Sequence, residues 1–271
     1  MQWVNVKPGR RSAALMGAIP VAIVILTYLI ASANRHAANP ADKLLPTPGA
    51  MVDAMSALIL HADPLSGRLL FWADTAASLQ RLGLGLGIST AIALLVGLVM
   101  GLLPVVRASL APLITIIAVI PPIALLPILF IVFGLGETAK VMLIIIGIAP
   151  FITRDIASHI GAIPAEQIVK AQTLGASSWQ LALRVALPQA MPRLIHAVRL
   201  SIGPAWVFLI SAEAIASDIG LGYRIFLVRR YLSMDIILPY VAWTALLAIA
   251  MDLALLWIGR KAFPWAQGER R

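Results

Sequence analysis

Few side chains in this sequence are arranged for chemistry. No glycine is followed by lysine, so the chain contains no Gly-x-x-x-x-Gly-Lys loop that could bind the phosphates of ATP. The four histidines, His36, His61, His159 and His196, do not have the spacing of a zinc motif such as His-Glu-x-x-His. A Gly-x-Ser-x-Gly nucleophile elbow is also absent. We therefore expect no catalytic, cofactor-binding or metal-binding residue in this chain.

Four charged residues lie in or near long apolar runs: Lys140, Arg199, Glu213 and Asp252. Ionisable groups inside a membrane are functional candidates, because placing an unpaired charge in lipid is costly. Each of the four is close to the predicted end of a span, however. A side chain that reaches outward to water, or a local ion pair, therefore explains them as well. For Lys140 we expect the outward-reaching conformation.

The composition indicates an integral membrane protein. Hydrophobic residues make up 61% and charged residues 12% of the 271 positions, against roughly half and a quarter in soluble proteins. Several uncharged runs reach the roughly 18 residues that a bilayer span requires. The net charge of +9 is explained better by cytoplasmic lysine and arginine than by nucleic-acid binding. Because the chain has no cysteine, disulfides are excluded.

A polar interval at residues 163–192, called the elbow segment here, separates the apolar runs of the second half. Pro164 is suited to the first position of a helix. Glu166 would then stand in the first turn, where the helix dipole favours an acid. Gly175 is typical of the residue that ends such a helix.

A second short helix is predicted to follow. Ser177 and Gln180 form a capping-box pattern at its start, and Pro188 and Pro192 are expected to punctuate the chain after it. The elbow segment is therefore predicted to fold as a helix, a small-residue turn and another helix outside the membrane. An amphipathic loop that lies on the membrane surface is the alternative.

The spacing of the elbow segment resembles a cytoplasmic loop of ABC importer permeases. That loop has the pattern Glu-Ala-Ala, three residues, Gly, nine residues, then Ile-x-Leu-Pro. The matching positions here are Ala171, Gly175, Val185, Leu187 and Pro188. Val169 and Lys170 stand where the family has Glu and Ala. The resemblance implies that residues 164–188 contain coupling helices, which dock into a groove of an ATPase subunit.

The residues that this resemblance assigns to ATPase coupling lie at the helix starts and in the turn between them. They are Glu166, Ala171, Gly175, Ala176, Ser177, Leu187 and Pro188. The resemblance also implies that ATP and Mg²⁺ bind to the partner ATPase. This chain would then be a transport subunit and not an enzyme.

Two further stretches resemble the nitrate/sulfonate/taurine branch of these permeases. One is a Leu-Pro-x-Pro turn at residues 45–49, followed by a Ser-Leu-x-Arg-Leu-x-x-Gly motif at residues 78–85. The other is the strip from Ala212-Glu213-Ala214 to Gly220-Leu221-Gly222-Tyr223. The branch implies a binding-protein-dependent type I importer with two permease chains, by default a homodimer, two ATPase subunits and an extracytoplasmic binding protein. Its typical solutes are small anions such as nitrate, sulfonate, taurine or bicarbonate.

The expected fold is all-α, with about six transmembrane helices in a bacterial inner membrane. From the resemblance it has the type I importer permease architecture with cytoplasmic coupling helices. The predicted spans are residues 12–34, 82–106, 108–136, 137–155, 195–216 and 236–258. We expect a cytoplasmic N-terminus at residues 1–12, a single permease domain at 13–260 and a cytoplasmic tail at 261–271. Within that domain, residues 35–74 would be periplasmic and residues 156–192 cytoplasmic.

The basic residues agree with this orientation. Of the 21 lysines and arginines, 13 fall in segments that the predicted topology places in the cytoplasm. These are Lys7, Arg10, Arg11, Arg107, Arg154, Lys170, Arg184, Arg193, Arg199, Arg260, Lys261, Arg270 and Arg271. Arg229 and Arg230 fall on the outer side, where a plain surface position or contact with a vestibule or a partner would explain them.

Four glycines of the second span predict close helix packing. Gly83 and Gly87, then Gly97 and Gly101, are spaced four residues apart. Small residues at this spacing allow helices to approach each other in lipid. We expect these glycines to pack and not to take part directly in transport.

Prolines interrupt the third span. Pro121 and Pro122 would kink the helix near the middle of the membrane, and the backbone carbonyls that they free need partners from protein or water. The kink could line a translocation path or only improve packing. Pro121, Pro122 and Glu213 are our candidates for the path or its gate.

Two other classes of function stay open at this point. A stand-alone secondary transporter or channel would show inverted repeats or an intramembrane ion relay, and the sequence shows neither to inspection. A membrane enzyme or scaffold is disfavoured, because the span interiors offer almost no polar groups for catalysis. Solute flux through the isolated chain would favour the stand-alone transporter, whereas association with an ATPase would favour the permease.

Overall fold

The computed structural model describes residues 9–40, 42–64 and 66–266. These residues form eleven α-helices, joined by loops and short 3₁₀ and π-helical turns, and contain no strand. The helices are α1 (Arg10–Ala38), α2 (Pro48–Leu60), α3 (Leu70–Leu102), α4 (Pro104–Val119), α5 (Leu126–Phe133), α6 (Glu137–Gly161), α7 (Ala165–Thr173), α8 (Ser178–Leu181), α9 (Leu187–Ile215), α10 (Leu221–Val228) and α11 (Met234–Ala262). The predicted all-α membrane fold is confirmed. Residues 1–8 and 267–271, in the predicted cytoplasmic termini, lie outside the described residues.

Five helical stretches of the described chain are long and apolar enough to cross a membrane: α1, α3, α6, α8 continued by α9, and α11. A sixth crossing forms if α4 and α5 act as one span, although they meet at 87°. The third predicted span is therefore two helices and not one kinked helix. The break falls at Ile120 and Pro121, which both have extended backbone. Pro121 and Pro122 also lack the N–H groups that would continue the helix.

The core is organised around a close contact between α3 and α6. Every fourth residue of α3 is small along one face: Gly85, Ser89, Ala93, Gly97 and Gly101. Every fourth residue of α6 is a buried isoleucine: Ile144, Ile148, Ile152, Ile156 and Ile160. Gly85, Gly97 and Gly101 lie against Ile144, Ile156 and Ile160 in that order. Because each of these pairs has the same separation in sequence, α3 and α6 run parallel and stay in register.

This contact tests the expected packing of the glycines. A Cβ atom at Gly101 would lie 2.5 Å from Ile160, and one at Gly97 would be nearly as crowded. Gly83 and Gly87, in contrast, have no atom within 4 Å of an added Cβ. Close packing is therefore confirmed for the second pair of glycines, whereas no other helix of the described chain packs on the first pair, since Gly85 and not Gly83 or Gly87 faces α6.

The remaining helices surround this pair. α9 packs on both α3 and α6, α11 packs on α9, and α2 and α10 contact α11. α1 is largely exposed. Hydrogen bonds attach it to the following loop, from Tyr28 Oη to the Pro46 carbonyl and from Ser32 Oγ to the Leu45 carbonyl.

The chain from α8 into α9 is one helical stretch of 38 residues that includes a π-helical turn at Ala182–Ala186. Pro188 and Pro192 lie in the first turns of α9. The prediction that they punctuate the chain is therefore wrong. Pro188 has no N–H group to donate to the carbonyl one turn back, and the wider π-helical turn before it accommodates this missing hydrogen bond.

Candidate functional site

The elbow segment follows α6 and contains α7, a tight turn and α8. The turn is a Schellman motif. The Ala176 N–H donates to the Ala171 carbonyl at 3.0 Å, and the Gly175 N–H donates to the Gln172 carbonyl at 2.9 Å. Gly175 has a φ of +84°, a left-handed conformation that is strained for residues with a Cβ atom. The predicted helix stop at Gly175 is confirmed.

Ser177 begins α8 with the predicted capping box. Its Oγ accepts from the Gln180 N–H at 3.3 Å, and Gln180 Oε1 accepts from the Ser177 N–H at 2.9 Å. Pro164, predicted at the first position of α7, instead precedes the helix as its N-cap residue. Because two caps follow each other directly, local hydrogen bonds fix the angle between α7 and α8.

Apolar side chains of the elbow segment are exposed on both sides of the turn. Leu174 is 86% exposed and Trp179 is 70% exposed, and Val169 on α7 is exposed as well. Large apolar residues grouped on a polar segment mark a contact surface for a protein or a membrane. The elbow segment therefore offers a shaped apolar surface.

Side chains attach the elbow segment to the spans on either side. Gln189 Nε2 on α9 donates to Gln167 Oε1 on α7 at 3.3 Å and to the Val185 carbonyl at 3.0 Å. The ring atom His159 Nε2 on α6 lies 3.2 Å from the Gln189 carbonyl. A displacement of α7 is thus transmitted to both α6 and α9.

The structure brings four of the seven predicted coupling residues together in or beside the turn: Ala171, Gly175, Ala176 and Ser177. Glu166 is exposed in the first turn of α7, and Leu187 and Pro188 open α9. Sequence reasoning missed Leu174 and Trp179. The available signal was a large apolar residue on each side of the glycine stop in a polar interval.

A second polar site lies at the opposite end of α6, where that helix begins. Six charged residues from α3, α6, α9 and α10 form what we call the ionic cluster: Asp74, Arg81, Glu137, Lys140, Glu213 and Arg224. Three are acidic and three are basic, so their charges balance. Glu137 is the most exposed of them, with 62% of its side chain accessible.

Arg81 on α3 connects the acidic residues of α6 and α9. Its Nη1 donates to Glu213 Oε1 at 2.6 Å and to the Ile219 carbonyl at 2.7 Å. Its Nη2 donates to Glu137 Oε1 at 2.8 Å, and its Nε donates to the other oxygen of Glu137. The Arg81 side chain is 4% exposed and the Glu213 side chain is fully buried. The pair is therefore stable only while both charges are present.

Lys140 is also enclosed by the cluster. Its Nζ donates to Glu137 Oε1 at 3.0 Å and to Ser217 Oγ at 3.1 Å. The prediction that Lys140 reaches outward is wrong, because acceptors inside the protein hold its ammonium group. The alternative of a local ion pair is confirmed for Arg199 and Asp252, whose two hydrogen bonds are both 2.8 Å long.

The carboxylates of the cluster bind the first backbone groups of α10. The Gly220 N–H donates to Asp74 Oδ1 at 2.9 Å, and the Gly222 N–H donates to Glu213 Oε2 at 2.8 Å. These N–H groups form the positive end of the helix dipole, which stabilises a buried carboxylate. In the described residues, no group of three or more His, Cys, Asp or Glu side chains could hold a metal ion.

This contact requires glycine at two positions of α10. Gly220 has a φ of +136°, and a Cβ atom there would lie 2.5 Å from the Glu213 carboxyl carbon. A Cβ atom at Gly222 would lie 2.7 Å from the Ile210 carbonyl oxygen. The Gly-Leu-Gly sequence is thus explained by the close approach of α10 to α9.

Of the six cluster residues, sequence reasoning singled out Lys140 and Glu213 and missed Asp74, Arg81, Glu137 and Arg224. Arg81 stands in the Ser-Leu-x-Arg motif, which was used only for its resemblance. α3 begins 12 residues before the predicted start of its span at Leu82, and this added stretch carries Asp74 and Arg81 of the cluster. Glu213, a candidate for the path or its gate, is fully buried and is a member of this cluster.

Pro121 and Pro122 lie between the end of α4 and the start of α5. The Pro121 carbonyl accepts from the Ala124 N–H at 3.0 Å in a short 3₁₀ turn. Val119 and Ile123 beside the turn are exposed, and α4 has no buried residue. The break is therefore left uncovered by the described part of the chain.

Residues 83–264 match the model of a family described as the binding-protein-dependent transport system inner membrane component. The chain is 36% identical to the taurine transport system permease protein TauC of Escherichia coli (strain K12), over 72% of this chain and 70% of that protein. It is 26% identical to the putative aliphatic sulfonates transport permease protein SsuC of Bacillus subtilis (strain 168), over 97% and 92%. It is 32% identical to the bicarbonate transport system permease protein CmpB of Synechococcus elongatus, over 70% and 69%.

The fold is also similar to a solved structure of the MetNI methionine ABC transporter, described as inward facing. The TM-score is 0.63 at 22% identity, and the match covers 71% of this chain and 95% of that chain. At this identity the similarity concerns the fold. The predicted type I importer permease architecture is therefore confirmed.

Proposed function

Because the chain belongs to the family of inner membrane components of binding-protein-dependent transport systems, we propose that its elbow segment docks a separate ATPase subunit. The chain itself is the permease subunit of an ATP-driven importer in the nitrate/sulfonate/taurine branch, and it is not an enzyme. The family match includes the whole elbow segment. A stand-alone transporter is not favoured.

The observation that carries this proposal is the exposed apolar surface beside a turn of fixed geometry. Leu174 and Trp179 extend from a polar segment, and tryptophan is enriched among the residues that dominate protein interfaces. A membrane-surface loop would have no need for a capped turn whose first helix, α7, is hydrogen-bonded to α9, while α9 in turn contacts α6 through His159. Closure of a docked ATPase would move both spans together.

We expect Trp179→Ala to weaken binding of the ATPase by about 2 kcal/mol, or roughly 30-fold, because the substitution removes the contact area of the indole ring from the docking surface. Trp257→Ala is the matched control, since Trp257 is 61% exposed on α11. The measurement is the affinity of the purified ATPase for each permease variant in lipid nanodiscs. Equal affinities for the two variants would contradict docking at the elbow segment.

We propose an orientation in which residues 156–192, which include the elbow segment, face the cytoplasm and the ionic cluster faces the periplasm. The inner membrane location is a property of the family, and the excess of basic residues near the elbow segment supports this direction. The N-terminus at 1–12 and the tail at 261–271 would then be cytoplasmic, and residues 35–74 periplasmic. Residues 13–260 form one permease domain in this proposal.

The complete importer would contain two copies of this permease, two ATPase subunits and an extracytoplasmic binding protein. We propose a small anion as the solute, because three relatives are named for taurine, aliphatic sulfonates and bicarbonate. Arg229 and Arg230 are exposed at the periplasmic end and would contact the binding protein or steer the anion. ATP and Mg²⁺ would bind to the partner ATPase, with no cofactor on this chain.

We propose that the break at Pro121 and Pro122 borders the translocation path, because α4 is uncovered there. Ile123→Cys should react with a water-soluble thiol reagent in at least one nucleotide state of the complete importer. This chain has no cysteine, so labelling of the permease subunit itself reports only the introduced residue. Leu253→Cys, on an exposed apolar face of α11, is expected to stay unlabelled. A lack of labelling at Ile123→Cys in every state would exclude this path.

A further inference from the structure

A cavity of about 700 Å³ opens between α9 and α11, at the end of the molecule that carries the elbow segment. Four basic side chains from α6 and α9 form one wall, His159, Arg193, His196 and Arg199, and Arg260 lines the cavity from α11. Leu255, Leu256, Phe263 and Trp265 form most of the other. The cavity is thus basic on one side and apolar and aromatic on the other.

Two of the arginines are held in place without using all their donors. Arg193 donates from Nε to Asp155 at 2.7 Å, and Arg199 donates from Nε to Asp252 at 2.8 Å. Both also donate from Nη2 to the same carboxylates. Among the described residues, neither Nη1 group makes a hydrogen bond. These fixed guanidinium groups can therefore donate further to an anion.

Two acidic side chains among the described residues lie beside the cavity. Asp155 and Asp252 each face one arginine, and Asp252 also lies near His196. Neither carboxylate lines the cavity itself. Of the described residues that line the cavity, three are arginines and none is acidic, so the space between them favours a negative group.

The surroundings mark the boundary between membrane and water. Arg260 and Lys261 lie in the last turn of the apolar helix α11, and Lys261 Nζ is 5.0 Å from the ring centroid of Trp257. Trp265 is 63% exposed and forms an edge-to-face pair with Phe263. Tryptophan and basic residues group in this way at the lipid headgroup level.

We propose that this cavity binds an anionic phospholipid, with the phosphate on the arginine wall and an acyl chain along the aromatic wall. The location in the cytoplasmic leaflet rests on the orientation proposed above. Basic pockets between transmembrane helices on that side are suited to lipid headgroups. A free phosphate ion would use the arginines alone and would leave the apolar wall without a partner.

The test is native mass spectrometry of the purified full chain with phosphatidylglycerol or phosphatidylcholine. We expect wild-type protein to retain phosphatidylglycerol at least about tenfold better, because charge-assisted hydrogen bonds select the anion. Arg260→Gln should lose about tenfold in this affinity and Arg260→Lys should keep most of it. Arg11→Gln is the matched control, since Arg11 is also exposed near the elbow end of α1.

Three outcomes would overturn the lipid assignment. Equal retention of the two lipids would show that the cavity does not select a negative headgroup. An equal loss in Arg11→Gln would show only diffuse surface charge. The third outcome combines two results: millimolar inorganic phosphate displaces the lipid, and Phe263→Ala leaves the retention of phosphatidylglycerol unchanged. Together they would assign the cavity to free phosphate. Because no ATPase is present, these results are independent of the docking test on Trp179.

Discussion

Replacing Arg81 with methionine is expected to destabilise the protein by about 3–5 kcal/mol, because Glu213 is left as a buried charge without its partner. Arg81 is the residue through which α3 holds both α6 and α9 at the ionic cluster. The measurement is the thermal midpoint of the detergent-solubilised chain. A large fall in the midpoint is the expected result.

A second substitution separates the lost charge pair from lost packing. Adding Glu213→Gln to Arg81→Met removes the buried charge while keeping the hydrogen-bonding shape, so the double variant should recover a large part of the stability. If the double variant is less stable than Arg81→Met alone, the buried-charge explanation is wrong.

The matched control is the more exposed ion pair of Arg35 and Asp42. Arg35 Nε donates to Asp42 Oδ2 at 2.6 Å, but 48% of the Arg35 side chain is exposed. The hydrogen bond from Arg35 lowers the pKa of Asp42 to about 2, so the carboxylate is ionised at neutral pH. Because water can replace the partner, Arg35→Met should move the thermal midpoint much less than Arg81→Met.

Gly175→Arg is expected to abolish ATP-dependent uptake while leaving membrane insertion intact. A Cβ atom at Gly175 meets no atom within 4 Å, so the arginine side chain would extend from the turn toward the docked ATPase. It would obstruct the proposed groove contact of Leu174 and Trp179. ATP hydrolysis and solute uptake by the reconstituted importer are the measurements, and normal uptake would refute the coupling role.

Two controls isolate docking from backbone strain. Asparagine tolerates the left-handed conformation, so Gly175→Asn should retain most of the uptake. Gly67→Arg places the same side chain on another exposed glycine with a φ of +65° and no atom within 4 Å. Gly67→Arg is therefore expected to transport normally. If it fails like Gly175→Arg, strain or charge and not docking explains the loss.

The helices of the elbow segment were predictable because their signals are local. A left-handed glycine and a capping box depend on residues at most five positions apart, as the bonds around Gly175 and Ser177 show. The spans were predictable for a similar reason, since an uncharged run of sufficient length needs a bilayer. The bend at Pro121 was placed correctly, but its 87° angle depends on contacts that no local pattern contains.

The ionic cluster was not predictable in the same way. Arg81 and Glu213 are separated by 132 residues, and a sequence alone does not pair charges at that distance. Lys140 shows the same limit, since its Nζ donates to Ser217 Oγ, which is 77 residues further along the chain. Gly85 shows the same limit in packing, since the i,i+4 pattern of glycines did not reveal which face of α3 meets α6.

The parallel register of α3 and α6 has a mechanical consequence. Along α6, about 37 Å of helix at 1.5 Å per residue, the isoleucines sit in the small-residue row of α3, so sliding would require a jump of one whole turn. The elbow segment begins where α6 ends, and the ionic cluster holds its first turn. The two helices therefore move as one unit, so a shift imposed at the elbow segment reaches the ionic cluster as a shift of the same size.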